Sequence, residues 1–95
     1  MFVLNVDLKA RAESTQTLEN TYRDVFQPAI SSQPGFDHVL LLRSGKNQNE
    51  YRLVIAFQDE QSQKKWVLTD LHQEIWPKME TNCSSYSVEP FHAVS

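Results

Sequence analysis

The chain has 95 residues, a formal net charge of −3, 40% hydrophobic residues and one cysteine. That length excludes two independent cores, and a lone domain of this size buries only about 60–65% of the surface its unfolded chain exposes. Acids and bases are interleaved, with Lys64-Lys65 the densest basic pair, so the basic stripe that nucleic acid or an anionic membrane rewards is missing.

Phe2, Leu4, Val6 and Leu8 alternate with Val3, Asn5 and Asp7, which predicts a first strand. This start has no basic region ahead of an apolar core, so it does not read as a signal peptide. From Ala12 to Gln33 the spacing is helical, with Leu18, Tyr22, Val25, Phe26 and Ala29 on one stripe. Ser14 or Thr15 is the candidate cap, and Pro28 should kink the helix because it lacks an N–H and crowds the previous turn. Pro34-Gly35 ends the segment with turn chemistry.

Phe36 to Arg43 is the second strand, and the polar stretch Ser44 to Glu50 suits a hairpin loop. The third strand, Tyr51 to Phe57, carries Leu53-Val54-Ile55-Ala56-Phe57, apolar at every position. Successive strand residues point to opposite faces, so such a strand needs cover on both. With only two helical segments available, a second copy of the chain is the simplest cover for the other face.

Asp59 is a good N-cap for a second helix over Glu60 to Thr81, with Val67, Leu71 and Ile75 on one stripe. Ser85 to Val94 is the last strand, and Pro90 places it at a sheet edge or bulge. The order β-α-β-β-α-β implies an α+β, ferredoxin-like fold: a four-stranded antiparallel sheet with both helices on one side. It forms a single domain over residues 1–95. Cys83 is alone, which excludes an internal disulfide and fits a reducing cytoplasm. No apolar run approaches the ~20 residues that cross a bilayer, so no membrane partner is expected.

Pro34-Gly35-Phe36, Tyr51 to Phe57 followed by Asp59, and the series Trp66, Thr69, His72, Trp76-Pro77 together resemble the antibiotic biosynthesis monooxygenase (ABM) family. The resemblance runs from Phe2 to about Val94. It implies a dimeric α+β barrel, in which two copies pair sheet to sheet. It also implies monooxygenase chemistry on electron-rich aromatics or quinols with no metal or flavin. Some members degrade haem, using a first-strand Asn with a Trp and a His on the second helix. Asn5 and Trp66 stand where the first two would. The chain carries Trp76 in place of that His, and His72 follows Trp66 by six positions, so haem is disfavoured as a cofactor.

The resemblance and the residue types together nominate His72 as the base, since an imidazole titrates near neutrality and can take a proton from a phenol or quinol. Asn5 is the other catalytic candidate, being polar inside an apolar strand. Trp66 and Trp76 are candidates for gripping a flat substrate, and Thr69 lies in line with His72 and Trp76. Each has a plainer alternative. His72 can be a boundary histidine, Asn5 a solvent-facing strand residue, and the tryptophans core or dimer contacts. Strand 3 also splits into a small row, Val54 and Ala56, and a bulky row, Tyr51, Leu53, Ile55 and Phe57. If the small row faces the helices, the gap beneath the second helix becomes a pocket that Asn5 shares.

His38, His72, His92 and Cys83 show no metal-ligand spacing. Gly35 and Gly45 are too few for a phosphate loop, and there is no Gly-flanked serine. Three functions remain open. The first is a cofactor-independent monooxygenase acting as a homodimer on a small aromatic or quinol ligand. The second is a non-catalytic ligand-binding or dimerisation module of the same fold. The third is an RNA-binding domain of the same strand order, against which the acidic balance argues.

Overall fold

A computed structural model describes residues 1–94. Strands β1 (Phe2–Ala10), β2 (Phe36–Arg43), β3 (Glu50–Phe57) and β4 (Cys83–His92) form one antiparallel sheet in the order β2-β3-β1-β4. Helical segments fill the β1–β2 and β3–β4 connections, giving the ferredoxin-like α+β fold that the sequence predicts. β4 is an edge strand that pairs with β1 alone, which is where Pro90 is tolerated. No helix among the described residues is long and apolar enough to cross a membrane.

The register decides which row meets the helices. Phe2 pairs with Phe57, Leu4 with Ile55, Val6 with Leu53 and Leu8 with Tyr51. Paired residues point to the same face, and this bulky row packs on Leu18, Phe26, Ile30, Trp66, Ile75 and Met79. The small row, Val3, Asn5 and Asp7 beside Val54 and Ala56, faces away from the helices. This reverses the pocket arrangement in which the small row lies beneath the second helix. Bulky side chains bury more apolar area, at about 25 cal/mol per Å², so the covered layer takes them.

The first helical segment enters through a 3₁₀ turn, Ala12–Ser14, and continues as α1 (Thr15–Thr21), a π turn (Tyr22–Phe26) and α2 (Gln27–Ser31). Ser14 occupies the cap position of α1 without making a side-chain cap bond. Pro28 follows the π turn, in which the Gln27 N–H donates to the Tyr22 carbonyl five residues back. The helix thus widens by one residue ahead of the proline instead of breaking there. Gly35 then turns the chain at φ +79°, and a Cβ there would run into the Ser62 side chain, so only glycine fits.

The second helical segment is two helices, not the single one predicted: α3 (Glu60–Val67) and α4 (Asp70–Glu80). Asp59 caps α3 as expected, accepting the Ser62 N–H at 2.8 Å. The break comes from Thr69. Its hydroxyl donates to the Trp66 carbonyl at 2.7 Å and accepts the His72 N–H at 3.1 Å, which ends one helix and caps the next. Leu68, at the break, is left 80% exposed, and burial passes to Trp66, Ile75 and Met79.

Candidate functional site

The break in the second helical segment builds a cavity. Trp66 stands just before it and His72 just after, and both face a space of about 220 Å³ between α3, α4 and the β1–β4 side of the sheet. Phe26, at the end of the π turn, closes the third side, packing edge-on to Trp66 at 6.4 Å and to Trp76 at 6.2 Å. Leu4, Val6 and Ile55 form the sheet wall, and Gln63, Val67, Tyr86 and Val88 complete the lining.

His72 is held by two indoles. Its ring meets Trp66 edge-on at 5.1 Å and 89°, and lies parallel to Trp76 at 6.4 Å and 10°. Its Nδ1 is buried and has no hydrogen-bond partner. Buried polar atoms are nearly always paired, and leaving one unpaired costs about 1–3 kcal/mol. Burial also pushes the His72 pKa below its ordinary value, so the ring is neutral at neutral pH. With its proton on Nε2, such a ring offers an Nδ1 lone pair to a hydroxyl in an aromatic-walled space.

Of the residues nominated from sequence, the fold brings His72, Trp66 and Trp76 together at this cavity. Thr69 is not in the lining, and its hydroxyl already donates and accepts at the helix break. It sets the first turn of α4 and therefore where His72 begins. Asn5 lies on the opposite sheet face, between Val54 of β3 and Glu89 of β4, and has no contact with the cavity. Val6, its neighbour in sequence, points in instead.

Sequence reasoning missed Gln63 and Tyr86 and took Phe26 for core alone. Gln63 falls one helical turn before Trp66, and Tyr86 and Val88 alternate along β4 opposite Leu8 and Val6. The Gln63 signal was present in the helical spacing, whereas that of Tyr86 needs the β1–β4 register. The remaining histidines are engaged elsewhere: His38 with the Asp37 carboxylate, and His92 edge-on to Phe2 at 5.3 Å. No group of three or more His, Cys, Asp or Glu able to hold a metal occurs among the described residues.

A second polar cluster satisfies itself. Arg43 Nη2 donates to Glu19 Oε1 at 2.8 Å, and the Tyr51 hydroxyl donates to Glu19 Oε2 at 2.6 Å, tying α1 to β2 and β3. Hydrogen bonds from Arg43 and then Tyr51 hold the Glu19 carboxyl below its ordinary range. A wider groove of about 750 Å³, which Tyr51 and Arg43 also line, lies at this end of the sheet, and in it Arg52 pairs with Asp7 at 2.9 Å. Among the described residues, the buried side-chain polar atom left unpaired, His72 Nδ1, belongs to the aromatic cavity.

The sequence profile of the antibiotic biosynthesis monooxygenase family matches residues 1–77. No curated protein sequence matches the chain. Among solved structures, SnoaB, a cofactor-independent oxygenase from Streptomyces nogalater, superposes with a TM-score of 0.89 at 14% identity, over 99% of this chain and 93% of that one. A proposed antibiotic biosynthesis monooxygenase from Nitrosomonas europaea gives 0.88 at 12% identity, over all of both chains (100% and 100%). A conserved protein from Methanosarcina mazei Go1 gives 0.85 at 13% identity, over 95% and 89%. At these identities the structural likeness establishes the fold.

Proposed function

Because the chain belongs to the antibiotic biosynthesis monooxygenase family, we propose that it is a cofactor-independent monooxygenase acting on a small electron-rich aromatic or quinol. The observation that carries this reading is the unpaired Nδ1 of His72 inside an aromatic-walled cavity. His72 is the base, Trp66 and Trp76 grip the substrate ring, and Thr69 positions His72 through the cap of α4. A cavity of about 220 Å³ falls below the ~300 Å³ at which drug-sized pockets begin. One ring or two fused rings suit it. The residues do not fit a haem, which is larger than such ligands and would need His72 released from between two indoles.

The chemistry then follows from proton and electron balance. The substrate hydroxyl gives its proton to Nδ1, and the phenolate passes one electron to dissolved oxygen. Ring radical and superoxide join through a carbon–oxygen bond, and the imidazolium protonates the outer oxygen. Loss of the ring hydrogen with that hydroxyl releases water and leaves a quinone carbonyl. The protein supplies the base, the orientation and a water-poor space.

The sheet face that lacks helices exposes Leu40 at 50%, Leu42 at 46% and Phe91 at 43%, on the side shared by Val3 and Val54. We read this apolar face as the contact of a homodimer, two sheets closing into an α+β barrel with about 800 Å² buried per subunit. A cytoplasmic setting fits the single free, buried Cys83.

Oxygen uptake with a panel of phenols, quinols and anthrones tests the reading. His72→Ala should lower turnover at least about 100-fold with the melting temperature retained. Turnover that survives His72→Ala would contradict the base. A folded wild-type protein that consumes no oxygen with any of them would favour a ligand-binding module without catalysis.

A further inference from the structure

The outer end of the cavity carries a polar group with no part in the scheme above. Tyr86 stands on β4 opposite Leu8 and lines two spaces at once, the aromatic cavity and the wider groove. Its ring packs edge-on to Trp76 at 5.4 Å and 78°, against the same indole that His72 parallels. Trp76 thus stands between His72 and Tyr86 along one wall of a cavity that all three line. The Tyr22 hydroxyl donates to the Val39 carbonyl and the Tyr51 hydroxyl to Glu19, whereas the Tyr86 hydroxyl has no protein partner among the described residues. Tyr86 is 42% exposed, so its ring is fixed by packing while its hydroxyl stays free at the mouth.

These two ends differ in what they can read. With the proton on Nε2, the His72 Nδ1 only accepts, so the buried end requires a ligand hydroxyl. A phenol both donates and accepts, so the outer end takes either a hydroxyl or a carbonyl. We propose that Tyr86 is a specificity residue that binds the second oxygen of a ligand whose first oxygen sits at His72 Nδ1, which selects quinols and hydroxyaryl ketones over monophenols. The inference rests on the placement of the substrate hydroxyl at His72. Because the Tyr86 hydroxyl is solvated when unpaired, the preference is modest: about 3–10-fold, the worth of one net hydrogen bond.

Calorimetric titration under argon, where turnover cannot occur, tests this with naphthalene-1,4-diol and 1-naphthol. The wild type should bind the diol about 3–10-fold tighter, and Tyr86→Phe should bind both as the wild type binds 1-naphthol, with an unchanged melting temperature. A preference that persists in Tyr86→Phe, or no binding of either ligand to the wild type, would overturn the inference. The two readings separate cleanly. Oxygen uptake with the preference intact in Tyr86→Phe rejects Tyr86 and spares His72. A preference lost in Tyr86→Phe, with no oxygen uptake by the wild type in air, spares Tyr86 and rejects the oxygenase.

Discussion

The two faces of the sheet are made by the same four strands and do opposite things. On the covered face, Val6, Leu8, Leu53 and Phe57 lie under the helices, and a histidine nitrogen is left without a partner inside a mouth edged by the exposed Tyr86 and Val88. On the bare face Asp7 pairs with Arg52 at 2.9 Å, and what is left uncovered is apolar: Leu40, Leu42 and Phe91 are 43–50% exposed. An unpaired polar atom in an aromatic cavity calls for a small ligand with a polar group. An uncovered apolar surface calls for a large apolar one. The alternation within β3, Leu53 and Ile55 inward with Val54 outward, lets one strand serve both.

The comparison breaks most visibly at the covered face. Trp66→Ala removes a buried wall shared by Phe26 and His72 and should cost about 3–5 kcal/mol in denaturant unfolding; a loss under about 1 kcal/mol would mean that the wall is not part of the core. On the bare face, Leu40→Asp combined with Leu42→Asp should turn a dimer into a folded monomer in sedimentation at micromolar concentration. Each leucine withdrawn from an interface is worth about 1.5–3 kcal/mol, so the dissociation constant should rise more than about 100-fold. An unchanged mass would place the contact elsewhere.

Smaller effects sharpen the picture. Thr69→Ala should cost about 1 kcal/mol and also lower turnover, because the cap that starts α4 sets the position of His72; Thr69→Ser should restore both. Stability restored without turnover would detach the cap from the site. The smallest effect is in pH. Burial lowers the His72 pKa, so below its ordinary value of 6.5 the unfolded chain binds a proton that the folded chain does not. The stability from a neutral His72 is therefore complete above 6.5 and falls as the pH drops toward the depressed folded value. Glu19 acts in a separate, lower window. Its stabilisation is present above 4.5 and is lost as the pH falls through its lowered folded value. Melting curves of His72→Gln should lack the upper slope and keep the lower one.

Much of the fold was legible because period-2 and helical stripes are strong signals. β2 emerged with its predicted ends, Phe36 and Arg43, and the turn at Gly35 and the cap at Asp59 were read from chemistry that few residues can supply. What escaped was decided by competition between neighbours. The stripe Val67, Leu71, Ile75 suggested one helix, but a threonine hydroxyl that satisfies two backbone groups outweighed it. Strand parity divided each strand into two rows without saying which row faces the helices, and so Asn5 fell on the wrong side. His72, Trp66 and Trp76 converge as expected, yet across a break rather than along one helix. Tyr86 was hidden because β4 meets β1 through register, and sequence spacing alone does not show which residues face each other across two strands.

The central claim is that a ligand hydroxyl completes His72 Nδ1. The chain has three histidines, so nitrogen NMR of histidine-labelled protein, with His72→Gln for assignment, resolves each ring. On anaerobic addition of 1-naphthol to saturation, the Nδ1 resonance of His72 is expected to move while those of His38 and His92 stay in place. A His72 resonance that does not respond to bound ligand would contradict the claim.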